Sequence, residues 1–192
     1  MSLPASNCPR KPIHNRSIQV HSFERDDGLW DIEAELIDYK SYDYQRRSGA
    51  TQRAGQPFHH MHVRVTIDIN FNIVDAIATY DAAPFGEECT AIGPAYRDLV
   101  GMNLLKSFRQ QIKDRFGRTA GCTHMTELAA VLPTAAVQTM APQRRRSAES
   151  GKRPFQLGGC YAQRVNGPVI QEIYPQWYEP SKPGTTEPSG ES

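Results

Sequence analysis

Apolar and charged residues alternate from Trp30 onward: Trp30, Ile32, Ala34 and Leu36 are separated by Asp31, Glu33 and Glu35. A period of two belongs to a strand with one dry and one wet face. A shorter strand near residues 17–23 precedes it, across the turn-like Arg25-Asp26-Asp27-Gly28. Met61, Val63, Val65, Ile67 and Ile69 repeat the alternation, with His60, His62, Arg64, Thr66 and Asp68 between them. Asn70-Phe71-Asn72 predicts a hairpin turn into a strand over 73–80. Successive strands joined by tight turns predict an antiparallel meander.

After Pro94 the period lengthens. Leu99, Met102, Leu105, Phe108, Ile112 and Phe116 recur three or four apart and predict one helical stripe, with Arg97, Asp98, Lys106, Arg109, Lys113 and Asp114 opposite. Gly117 stands where a C-terminal cap glycine belongs. Residues 123–140 predict a second helix, bent or restarted at Pro133, and residues 155–178 return as extended chain. The fold class is therefore α+β, an antiparallel β meander with helices packed on its dry face. One domain is expected over residues 1–178, carrying a flexible loop near 45–56 and a basic linker near 141–153. A disordered tail is expected over 179–192, where Pro, Gly, Ser, Thr and charge leave nothing to bury.

The length of 192 residues suits a single core. With 22 basic against 21 acidic side chains, the balance counts against nucleic acid as the main partner, which rewards a basic surface. No apolar run is long enough to cross a bilayer, and the start MSLPASNCPRKPIHNR has no apolar stretch of the secretory kind. A cytoplasmic protein with a small-molecule substrate is expected, without nucleic-acid or membrane partners and with a homo-oligomer possible. In that compartment Cys8, Cys89, Cys122 and Cys160, which form no CxxC pair, should be reduced thiols.

Four residues carry the candidate chemistry. By strand parity His59 faces inward with Met61 and Val63, or else it is a core histidine bonded to backbone, while His60 and His62 read as solvated side chains of the wet face. Cys122, in Gly121-Cys122-Thr123-His124, precedes a helix, where unpaired N–H groups favour a thiolate. A thiolate there can be a nucleophile or a metal ligand, and His124 can act as its base; the bland alternative is an inert buried cysteine. Cys89 lies in a loop between the last meander strand and the first helix, flanked by Glu87 and Glu88. Thiolates with an imidazole suit zinc or an iron–sulfur centre, so His59, Cys89 and Cys122 form the candidate metal set, with His124 or Cys160 completing it. Arg25-Asp26-Asp27 reads as a turn or a pocket wall, and Arg144-Arg145-Arg146 as a solvated linker.

RDDGLWDIEAELIDYK, QPFHHMHVRVTID, the Cys89 loop, LVGMNLLKSF, GCTHMTEL and the segment from Cys160 to Trp177 together resemble a bacterial family known only as a domain of unknown function. That resemblance implies no settled activity. Residues 57–132 are also similar in order to the U-type iron–sulfur cluster scaffold fold. The likeness puts His59 on the scaffold's aspartate, Cys89 on its second cysteine and Cys122 or a neighbour on its third. Pro57 stands at the first cysteine position, and the later spacing differs.

The leading expectation is a zinc-dependent enzyme that hydrolyses or cleaves a small carbonyl or acyl-thioester compound. Zinc would sit on His59, Cys89 and Cys122, with His124 moving protons. The alternatives are a non-catalytic metal or iron–sulfur cluster carrier, and a metal-free cysteine hydrolase using Cys122.

Overall fold

Alternating burial runs the whole length of the central strand: Trp30, Ile32, Ala34, Leu36 and Asp38 are buried, and the residues between them are not. The computed structural model describes residues 3–143 and 151–181. They fall into two compact units, Met1–Thr139 and Met140–Ser192.

In the first unit β1 (His14–Glu24), β2 (Trp30–Lys40), β5 (Pro57–Ile67) and β6 (Ile73–Ala82) form a four-stranded sheet in that order. Every neighbouring pair is antiparallel. The expected meander and α+β class are therefore present. β1 is longer than the sequence pattern suggested. Gly28, with φ of 79°, closes the turn between β1 and β2, a conformation glycine adopts without steric cost.

Residues 45–56, expected as a flexible loop, instead hold a small hairpin of β3 (Tyr44–Gln45) and β4 (Thr51–Gln52). Gln52 is buried there, and its Nε2 donates to the carbonyls of Gln56 and Pro57 at 3.3 and 3.0 Å. Side-chain satisfaction rather than apolar burial orders this segment, which hydrophobic periodicity could not reveal.

The single helix expected after Pro94 is broken. A 3-10 turn (Gly93–Leu99) and α2 (Phe108–Phe116) flank an irregular stretch. Its backbone bonds go to the β5–β6 hairpin: Ile73 N–H donates to Met102 O, Gly101 N–H to Ile73 O and Leu104 N–H to Phe71 O. Asn103 Nδ2 also donates to Asn70 O at 2.8 Å. Those partners outcompete the next helical turn, so Met102 and Leu105 leave the stripe that Phe108, Ile112 and Phe116 keep. Gly117 follows α2 as foreseen, but in extended conformation.

The second helix restarts as expected, as α3 (Thr123–Ala129) and α4 (Leu132–Thr139), after a short α1 (Glu87–Thr90) earlier in the chain. α3 packs on β2 and β5, and α4 on β1 and β2, so the helices cover the dry face. Met125, Leu128, Ala129, Leu132 and Ala136 are fully buried. Burial of each large side chain stabilises by about 1.5–3 kcal/mol. No helix among the described residues is long and apolar enough to cross a membrane.

The second unit corrects one expectation. Residues 155–178 are not extended strands; they form tight turns and α5 (Pro168–Ile173). Gly167 precedes the helix and Pro168 opens it, where a missing N–H costs nothing. Ile170 is buried in it. Arg144, Arg145, Arg146 and the tail from residue 182 lie outside the described residues.

Candidate active site

Three polar residues stand side by side across three strands of the dry face. Arg16 of β1 is the register partner of Asp38 of β2, and Asp38 that of His59 of β5. Register partners bring their side chains within contact distance. Arg16 grips Asp38 Oδ2 with Nε at 3.2 Å and Nη2 at 2.6 Å. His59 Nδ1 lies 2.8 Å from Asp38 Oδ1. Both carboxylate oxygens are thus engaged, and the Asp38 side chain is only 3% exposed. Burial alone would push its carboxyl up, but the bonds from Arg16 and His59 outweigh burial and hold it below the usual 3.8.

Helix α3 brings the next layer. The His124 ring stacks on the His59 ring with centroids 3.8 Å apart and planes 30° from parallel. One turn on, Glu127 accepts from Arg16 Nη1 at 2.7 Å, which ties the helix to the same arginine that holds Asp38. Burial lowers the His59 imidazole below 6.5; the charges of His124 and Arg16 act in the same direction, against its bond to Asp38.

Cys122 caps α3 by position, its carbonyl accepting the Thr126 N–H at 2.9 Å. Burial would raise its thiol. Hydrogen bonds from the His124 side chain, the Met125 N–H, the Tyr80 hydroxyl and the His124 N–H reverse this, and bring it from 9.0 down to about 7. A thiolate is therefore substantially populated at neutral pH.

Two tyrosines frame this cysteine. Tyr96, fully buried and stacked on Phe116 at 4.4 Å, clasps the Cys122 backbone: its hydroxyl accepts from the N–H and donates to the C=O, both at 2.9 Å. The Tyr80 hydroxyl oxygen is buried with no bond of ordinary geometry to a protein oxygen or nitrogen. Burial raises its pKa, and the charge of a Cys122 thiolate, with that of Cys89 beyond it, raises it further. The hydroxyl therefore stays protonated and available as a donor. Beside them a pocket of about 400 Å³ is lined by Glu88, Cys89, Ile92, Thr119, Gly121 and Cys122.

The sequence-predicted residues divide between these places. His59 faces inward as parity demanded and meets His124, which meets Cys122. Cys89 joins Cys122 in the wall of the pocket. Among the described residues, two groups of three donors lie within 4.8 Å of one another, Glu35–His60–His62 and Asp38–His59–His124, and neither includes a cysteine. Cys160 is exposed and belongs to the second unit. Asp26 and Asp27 stay in the exposed turn, where Asp27 pairs with Arg25 at 2.6 Å.

Arg16, Asp38, Tyr80 and Tyr96 escaped the sequence reading. Asp38 had a signal: it continues the inward parity of Trp30, Ile32, Ala34 and Leu36, and a buried carboxylate requires a partner. Arg16 and Tyr80 become visible only through strand register.

A family model matches residues 14–138, a span that holds every one of these site residues. The chain belongs to the family described as protein of unknown function DUF2889. No curated protein and no solved structure matches it. In this DUF2889 chain, geometry is thus the source of any functional reading.

Proposed function

We propose that the protein is a thiol-dependent acyl hydrolase or acyltransferase in which Cys122 is the nucleophile and His124 its base. The observation that supports this best is the continuous line of contacts from the Cys122 thiol through His124 and His59 to Asp38 and Arg16. Nucleophile, base and orienting groups in sequence are what acyl transfer needs. The Cys122 sulfur would attack an acyl carbonyl carbon, forming a C–S bond. The alcohol or thiol leaving group would depart with the proton His124 has taken from the cysteine. Water, deprotonated by His124, would then release the acid and regenerate the thiol. Tyr80, which stays protonated, would donate a hydrogen bond to negative charge at sulfur or at the carbonyl oxygen. His59, Asp38 and Arg16 are positioning residues: they hold the face on which His124 stacks.

The zinc-enzyme and carrier readings draw less support. Among the described residues the expected ligands His59, Cys89 and Cys122 are not one of the groups of donors within 4.8 Å of one another. Asp38 in the Asp38–His59–His124 group already carries a guanidinium at 2.6 Å, where a second cation would be repelled. The test is turnover of short acyl thioesters and aryl esters in chelator, with intact-mass detection of an acyl adduct. An adduct on Cys122, and inactivity of Cys122→Ser, are expected. Full activity in Cys122→Ser would overturn the reading, as would activity lost to chelator and restored by zinc.

A further inference from the structure

The opposite face of the sheet holds a second cluster of chemistry-bearing side chains. His60 and His62 stand two apart on β5 and point the same way, as alternation requires. Glu35 of β2 is the register partner of His62, and Asp81 of β6 borders them on the other side. Carboxylate and imidazole alternate around a closed ring. Glu35 Oε1 lies 2.8 Å from His60 Nε2 and 4.0 Å from His62 Nδ1. Asp81 Oδ2 lies 3.0 Å from His62 Nε2 and 3.6 Å from His60 Nδ1. The two rings sit 4.7 Å apart. Glu35, His60 and His62 each offer one donor atom within 4.8 Å of the other two, and Asp81 borders both imidazoles on their far side.

We infer that Glu35, His60, His62 and Asp81 form a binding site for a divalent first-row transition metal of the zinc class. Two imidazoles with two carboxylates match the ligand preferences of zinc and iron(II), and exclude the all-oxygen shells of magnesium and calcium. Three of the four donors lie within 4.8 Å of one another, so the spacing already approaches a shared coordination sphere. Access is open: a groove of about 370 Å³, lined by His21, Glu33, Glu35, His62, Arg64 and Thr79, adjoins the ring. β-sheet backbone fixes all four Cα positions, so binding needs only side-chain rotation. The site lies across the sheet from Cys122 and shares no residue with the proposed thiol centre.

The test is titration of chelator-stripped full-length protein with cobalt(II) followed by absorption, then zinc displacement. One cobalt per chain is expected, with a ligand-field spectrum lacking thiolate-to-metal charge transfer. His60→Gln with His62→Gln should weaken binding by about 100-fold, since loss of a mere outer-shell partner typically costs roughly 10–100-fold. Cys122→Ser and His124→Gln should leave binding unchanged. Circular dichroism checks that the double variant is folded, and Glu35→Gln, a near-isosteric change, gives a second loss of affinity. No binding by wild type would overturn the inference. So would a thiolate band, or binding that survives the double variant and disappears with His124→Gln.

Discussion

Asp38 Oδ1 stands 2.8 Å from His59 Nδ1, and the two residues are direct register partners on β2 and β5. The contact is built by the sheet itself. It lies where the dry face changes from apolar to polar, with a β-bulge immediately beyond at Asp38 and Tyr39. Because Arg16 holds the other carboxylate oxygen, the orientation of His59, and of the His124 ring stacked on it, traces back to strand pairing.

Asp38→Asn keeps the shape of this centre and removes its charge. Arg16, with 27% of its side chain exposed, would lose its buried counter-charge. The expected cost is roughly 2–3 kcal/mol, below that of breaking a fully buried pair. Urea denaturation at pH 7 measures it, and a loss under about 0.5 kcal/mol, the size typical of surface substitutions, would contradict the role given to Asp38.

Acidification should weaken the fold through His59. The unfolded chain takes up this proton near 6.5, and the folded protein only at lower pH. Between those values the unfolded state holds more protons, so stability falls as pH drops below about 6.5. Asp38 acts in the same sense further down: its contribution is complete above 3.8 and is lost as pH falls through its lower folded value. Thermal melts from pH 7.5 to 5 should show a falling Tm in wild type and a flatter profile in His59→Gln.

Thiol reactivity reports on Cys122 directly. Alkylation by iodoacetamide, resolved residue by residue by mass spectrometry, should be half-maximal near pH 7 at Cys122. His124→Gln removes a hydrogen bond to the thiolate and should move that midpoint upward. An unmoved midpoint would detach His124 from the thiol.

Tyr80→Phe separates stability from chemistry. The hydroxyl has no oxygen or nitrogen partner, so losing its contact with the Cys122 thiol should cost stability no more than about 1 kcal/mol. The Cys122 midpoint should nevertheless shift upward, because one donor to the thiolate is gone.

Gly121→Ala probes how the cysteine loop is seated. A Cβ there would fall 2.5 Å from the Phe116 carbonyl oxygen and 2.7 Å from Phe116 Cβ. Backbone must move, at an expected cost of about 1–3 kcal/mol. Cys122, the next residue, should lose part of its enhanced reactivity in the same alkylation assay.

The sequence by itself determined the strands of the four-stranded sheet, the turns at Gly28 and Phe71, and the inward face of His59, because alternation of side chains is a local consequence of extended backbone. It also marked the restart of the second helix near Pro133. Tertiary structure alone decided the rest. Register set Arg16 beside Asp38 and Asp38 beside His59, and packing of α3 laid His124 over them. The irregular chain at residues 100–107 formed because the β5–β6 hairpin supplied its backbone partners, which no local pattern encodes. His60 and His62 show the same limit: parity places them on the wet face, but only the neighbouring strands bring Glu35 and Asp81 within reach of their nitrogens.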